Sequence, residues 1–142
     1  MRLLERFESR DKKKRMSHIK NLIELALSDK VIDKSETELV SALALRSGLT
    51  TSDVQRVLSR PESVEFVPPE TIRERIEQLY ELVLLMMVDG EIHEVELVFC
   101  KNTALKLGLS QQVIDEIVDK VIEEITSGID SELIISTLVK SS

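Results

Sequence analysis

Two acids and an isoleucine recur at fixed spacing in this chain, and they are the residues best suited to chemistry. Asp89, Ile92 and Glu96 form one set, and Asp29, Ile32 and Glu36 form another sixty positions earlier. Carboxylates brought together at a tight turn are oxygen donors for a divalent cation, Ca²⁺, Mg²⁺, Mn²⁺ or Zn²⁺. The second set is the richer one. Gly90 lets its turn tighten, and Glu91 and Glu94 add carboxylates beside Asp89 and Glu96.

Each acid also has a structural use. An aspartate at the C-terminal end of a helix meets the negative end of the macrodipole, so it needs compensation. Loop N–H groups in an Asx-type turn supply that as readily as a cation does. The glutamates stand three residues after Asp33 and His93, where a capping box needs an acid that reaches back to the cap N–H. The isoleucines are expected to turn inward and pin adjoining helices together.

Other reactive patterns fail on inspection. A calcium-binding helix–loop–helix motif starting at Asp89 needs Gly at its sixth place and Glu at its twelfth, where Glu94 and Cys100 stand. His93-Glu94-Val95-Glu96-Leu97 lacks the second histidine of a zinc-protease helix, and no phosphate-binding glycine loop occurs. His18 and His93 read as solvated, with no nucleophile beside them. Cys100 lies in an apolar helical pattern and reads as a small buried hydrophobe. These features predict a protein that is not an enzyme.

The elements that must position the acids are helices. Met16, Ile19, Leu22, Ile23, Ala26 and Leu27 recur at helical spacing, although residues 2–28 read equally as one helix or as two broken near Arg10. A helix capped by Asp33 carries Leu39, Val40, Leu43 and Ala44 and stops at Gly48; Thr50 caps the next. Residues 61–68 form a proline-bearing connection with Val64, Phe66 and Val67 packing across the domain. A long helix is predicted from about Pro69 to Val88, then one from about His93 to Gly108, then one from Ser110 to about Ser127. Asp130 caps a last helix over about 130–140.

Residues 19–58 and 79–118 align without a gap at nine identities: Leu22/Leu82, Leu25/Leu85, Asp29/Asp89, Ile32/Ile92, Glu36/Glu96, Ala44/Ala104, Leu45/Leu105, Gly48/Gly108 and Leu49/Leu109. Helical leucine patterns alone do not align both glycines and both Asp–Glu pairs, so two pseudo-symmetric three-helix repeats are expected. The predicted organisation is all-α, about seven helices in one domain over 1–142. Repeat one covers about 9–60, repeat two about 69–127, and the C-terminal helix follows.

Composition agrees with this. The 142 residues suffice for one core, with 42% apolar and 32% charged residues, no Trp and one Tyr. Net charge is −7, yet residues 1–20 hold eight Arg/Lys against three acids, leaving the remainder near −12. Phosphate repels such a body, so no nucleic-acid partner is expected. The basic stretch from Arg10 to Arg15 is the counter-signal, and the i,i+4 pairs Glu8–Lys12 and Asp11–Arg15 make it a solvated face. No run is apolar enough for an export signal or a membrane span, so a cytoplasmic protein is expected.

The run Leu85-Met86-Met87-Val88-Asp89-Gly90-Glu91-Ile92, with Glu96 and then Ala104-Leu105-Lys106-Leu107-Gly108-Leu109, resembles the signature of the TerB-like family. That family includes a tellurite-resistance protein and the N-terminal region of the DnaJ-like protein DjlA. The resemblance covers about 19–139. It implies an all-helical fold of two three-helix halves plus a further helix. It also implies metal binding through conserved acids, here Asp89 and Glu96, with Asp29 and Glu36 their counterparts. Lys30 stands where the family places glycine and sets a positive charge beside the first copy, so the second copy is the expected site. The leading expectation is a non-enzymatic acidic module binding a divalent cation in a stress-response or metal-related complex. The alternative is a protein-interaction scaffold without a metal site, and a protein partner is expected in either case.

Overall fold

No glycine or proline interrupts residues 2–27, and Leu, Glu, Lys and Arg predominate there, so helix propensity is high throughout. The first helix, α1 (Arg2–Leu27), accordingly runs unbroken through Arg10. This computed structural model describes residues 2–28 and 32–128, with side chains from residue 10 onward. Asp29, Lys30 and the helix expected over about 130–140 lie outside the described residues, as do the side chains of Leu3, Leu4, Phe7 and Glu8.

Five further α-helices follow: α2 (Lys34–Arg46), α3 (Thr51–Ser59), α4 (Ile72–Met86), α5 (Glu94–Lys106) and α6 (Gln111–Ser127). A single 3₁₀ turn, Pro61–Ser63, lies in the connection. The described residues are therefore all-helical, as the periodicity required. The helix starts follow side-chain chemistry. Asp33 and Glu36 form a reciprocal capping box at α2, and Thr50 and Asp53 form another at α3. Ser110 caps α6 through the Val113 N–H. Helix α4 begins later than the proline pattern suggests, because Thr71 caps it by accepting from the Glu74 N–H at 3.1 Å.

Helices α1 and α4 pack on each other at the centre. α2 and α3 lie against α1, while α5 and α6 lie against α4, and α5 also reaches α1. Both central helices contribute apolar residues to the core: Leu22, Ile23, Leu25 and Ala26 from α1 and Leu79, Leu82, Val83 and Leu85 from α4 are fully buried. At about 25 cal/mol per Å² of apolar surface, residues of this size each contribute roughly 1.5–3 kcal/mol when fully buried. The connection is tied to α1 by polar contacts. The Val67 N–H donates to Ser17 Oγ at 2.8 Å, Lys20 Nζ donates to the Val64 carbonyl at 2.8 Å, and Val64 is buried beneath them.

The basic stretch of α1 is engaged in the same work. Lys12 pairs with Asp53 of α3 at 3.3 Å, and Lys14 with Glu70 at 3.2 Å. Arg15 pairs with Asp11 at 3.2 Å and donates to the Ser47 carbonyl at 2.7 Å, at the C-terminal end of α2. A cation there satisfies an orphan carbonyl and complements the helix dipole. Lys12 thus reaches α3, while its expected pairing with Glu8 lies outside the described side chains.

Candidate functional site

The turn between α4 and α5 follows from its residues. Helix α4 ends at Met86, Gly90 takes φ +83°, and His93 occupies the cap position of α5 without making a side-chain cap bond. Asp89 fills the turn. Its Oδ1 accepts from the Glu91 N–H at 3.0 Å, the Asx-type arrangement, and its Oδ2 lies 3.1 Å from His93 Nε2. Glu91 Oε2 stands 4.0 Å from the same nitrogen.

The electrostatics centre on the imidazole. The bond to Asp89, followed by the charges of Asp89, Glu96 and Glu91, holds the His93 pKa above its ordinary value. Conversely, the Glu91 N–H and then His93 hold the Asp89 carboxyl below the usual range. His93 is solvent-accessible, as expected, and is also the group that Asp89 and Glu91 approach. The Asp89-x-x-x-His93 spacing was the signal, visible only if the turn brings the two ends together.

The remaining expected site residues separate by environment. Glu94 and Glu91 are exposed, whereas Glu96 is 2% exposed in the first turn of α5. In the first half Glu36 is buried, accepts the Asp33 N–H at 3.1 Å, and completes the capping box. Among the described residues, no three His, Cys, Asp or Glu side chains are arranged to hold a metal ion. The Asp89–His93 pair supplies two donors of mixed oxygen and nitrogen chemistry, with Glu91 nearby.

The two isoleucines part company: Ile32 turns inward and packs against the core as expected, whereas Ile92 is 46% exposed. Leu105, aligned as a core position, is 43% exposed, and Leu45 is exposed as well.

Ile92 and Leu105 belong to a larger feature. Val95 is 56% exposed and Val98 52% exposed, so the outer side of α5 carries Val95, Val98 and Leu105 in a row with Ile92 just ahead of it. The inner side holds Cys100, Ala104 and Leu107, all buried. Helix α5 is therefore apolar on two sides, a pattern that suits a helix covered on both. Sixty positions earlier α2 has the same length, yet Ser35 and Glu38 stand where α5 has Val95 and Val98. Ser35 donates to Asp33 Oδ1 at 2.9 Å and Glu38 pairs with Lys34 at 3.9 Å, so α2 is polar at these two positions, although Leu45, level with Leu105, is 56% exposed.

A second ionic cluster escaped the sequence entirely. His18 of α1 lies 2.7 Å from Glu81 Oε1 on α4, and Arg46 of α2 donates to Glu81 Oε2 at 3.0 Å. Burial raises the Glu81 pKa, but the His18 bond and the charges of His18 and Arg46 outweigh it and hold the carboxyl below its ordinary value. His18 is thus an internal tie between the central helices and not a solvated residue. Cys100 behaves as its pattern indicated: burial pushes its thiol up to about 12, far from the thiolate a nucleophile needs. No described helix is long and apolar enough to cross a membrane.

No family model matches the chain, and searches of curated proteins and of solved structures return no match.

Proposed function

We propose that this chain is a non-enzymatic, acidic helical module of the TerB-like kind whose work is protein interaction, carried out through the outer side of α5. One observation supports this above the others: Val95, Val98 and Leu105 stand exposed along one side of the helix that follows the signature turn, with Ile92 just ahead of them. Clustered exposed apolar side chains mark interaction sites on proteins that otherwise keep charged surfaces. The acids of the signature then build turns and helix starts that set α5 at its angle.

The test is affinity capture from host lysate with the wild type and a Val95→Ser/Val98→Glu variant, which gives α5 the outer residues found on α2. Capture of a specific partner by the wild type and its loss with the folded variant is the expected result. Equal capture by both proteins contradicts the reading.

A second reading rests on the turn. Asp89 Oδ2 and His93 Nε2, 3.1 Å apart, offer one carboxylate and one imidazole donor, a pairing suited to Zn²⁺ or Mn²⁺ better than to Ca²⁺. Thermal melting with each cation tests it. On this reading one cation raises the melting temperature of the wild type and fails to do so for Asp89→Asn. Unchanged melting in all three cations removes it.

A further inference from the structure

The apolar row on α5 has a symmetry that bears on what covers it. Val95 and Leu105 are equidistant from residue 100, and so are Val98 and Asn102. At about 100° per residue these four positions fall within one narrow stripe of the helix. The ends of α5 at Glu94 and Lys106 are likewise equidistant from residue 100. Turned end for end, Val95 comes level with Leu105, apolar on apolar, while Val98 comes level with Asn102. Such a surface can serve both sides of a twofold contact.

Charge runs the same way. Glu91 and Glu94 lie at the start of α5 and Lys106 at its end, all three exposed. An antiparallel approach of two α5 helices sets the acidic start of one over the basic end of the other and opposes their dipoles favourably. A parallel approach sets like charge on like.

We infer that the outer side of α5 is a homodimer interface, in which two copies of this chain pack antiparallel about a twofold axis level with residue 100. This rests on the interaction reading above and names the partner as a second copy. The contact involves one helix and its preceding loop, so it lies at the small end of specific interfaces and forms a reversible dimer.

Sedimentation velocity on the full chain, from about 5 to 500 μM at moderate salt, tests the inference. The expected result is a concentration-dependent shift from monomer to dimer. Val98→Glu places a charge against the centre of the contact on each side and is expected to weaken dimerisation by roughly a hundredfold or more. Lys106→Glu is expected to weaken it about two- to fivefold, and adding Glu94→Lys to restore it. A wild type that stays monomeric throughout overturns the inference, as does a dimer indifferent to Val98→Glu. Nuclear Overhauser contacts within a monomer between the Val95 or Val98 methyls and residues 130–140 also overturn it, since the chain's own C-terminal segment then covers the face. A monomeric wild type that still captures a different protein, with capture lost in Val95→Ser/Val98→Glu, removes the dimer and leaves the interaction reading standing.

Discussion

The guanidinium of Arg75 lies against Gly108, so close that a Cβ on the glycine would sit 3.2 Å from Nη1. Arg15 stands in the same relation to Gly48 sixty positions earlier, with 2.9 Å to its Nη1. Both glycines take positive φ, +101° and +89°, just past the ends of α5 and α2. The chain thus ends two helices in the same manner, with a left-handed residue and an arginine from a central helix laid over it.

Replacing either of these glycines combines two costs. An L-residue at such φ loses roughly 1–2 kcal/mol, and its Cβ displaces the arginine. For Gly48→Ala the Arg15 bond to the Ser47 carbonyl is also disturbed, adding about 0.5–1.5 kcal/mol. Urea denaturation is expected to show a larger loss for Gly48→Ala than for Gly128→Ala, where nothing lies within 4 Å of the added carbon. Equal losses would mean that the arginine contact contributes nothing.

The His18–Glu81–Arg46 cluster joins three helices through one carboxylate. Glu81→Ala leaves His18 and Arg46 without their shared partner and is expected to cost about 1–3 kcal/mol. The Glu81 pKa is lowered in the folded state, so its contribution is present above the ordinary 4.5 and is lost as pH falls through the lowered value. Denaturant midpoints measured from pH 7 to pH 3 are expected to converge for wild type and Glu81→Ala at the acid end.

The Asp89–His93 pair titrates from both sides. The His93 pKa is raised, so its contribution is complete below the ordinary 6.5 and disappears as pH rises through the folded value. That of Asp89 is lowered, so its share is present above the ordinary 3.8 and disappears as pH falls through the folded value. Proton NMR of the His93 ring is expected to give a pKa above 6.5 in the wild type, falling in Asp89→Asn. A ring titration indifferent to Asp89→Asn would show that the two side chains do not meet in solution.

Much of the fold was legible because its signals are local. Asp33, Thr50 and Ser110 announce helix starts by side-chain chemistry, Gly48 and Gly108 announce ends, and the spacing of Leu22 with Leu82 marks the buried seam. What escaped was tertiary. His18 finds Glu81 across 63 residues and Lys12 finds Asp53 across 41, and nothing in their neighbourhoods foretells either partner. The site divided along the same line. The Asx turn at Asp89 is a local property and could be read; the outward turn of Ile92 and the exposure of Leu105 depend on which side of α5 meets α4 and α6. Helical periodicity finds apolar positions but assigns no side to a helix that is apolar on two.

That two-sidedness makes thermal unfolding of the Val95→Ser/Val98→Glu variant, at low protein concentration, the most direct measurement. If the outer row of α5 is a binding surface, it packs against nothing within its own chain, and the variant is expected to match the wild type within about 0.5 kcal/mol. A loss of roughly 2 kcal/mol or more, the signature of disrupted core packing, would contradict a binding role for that face.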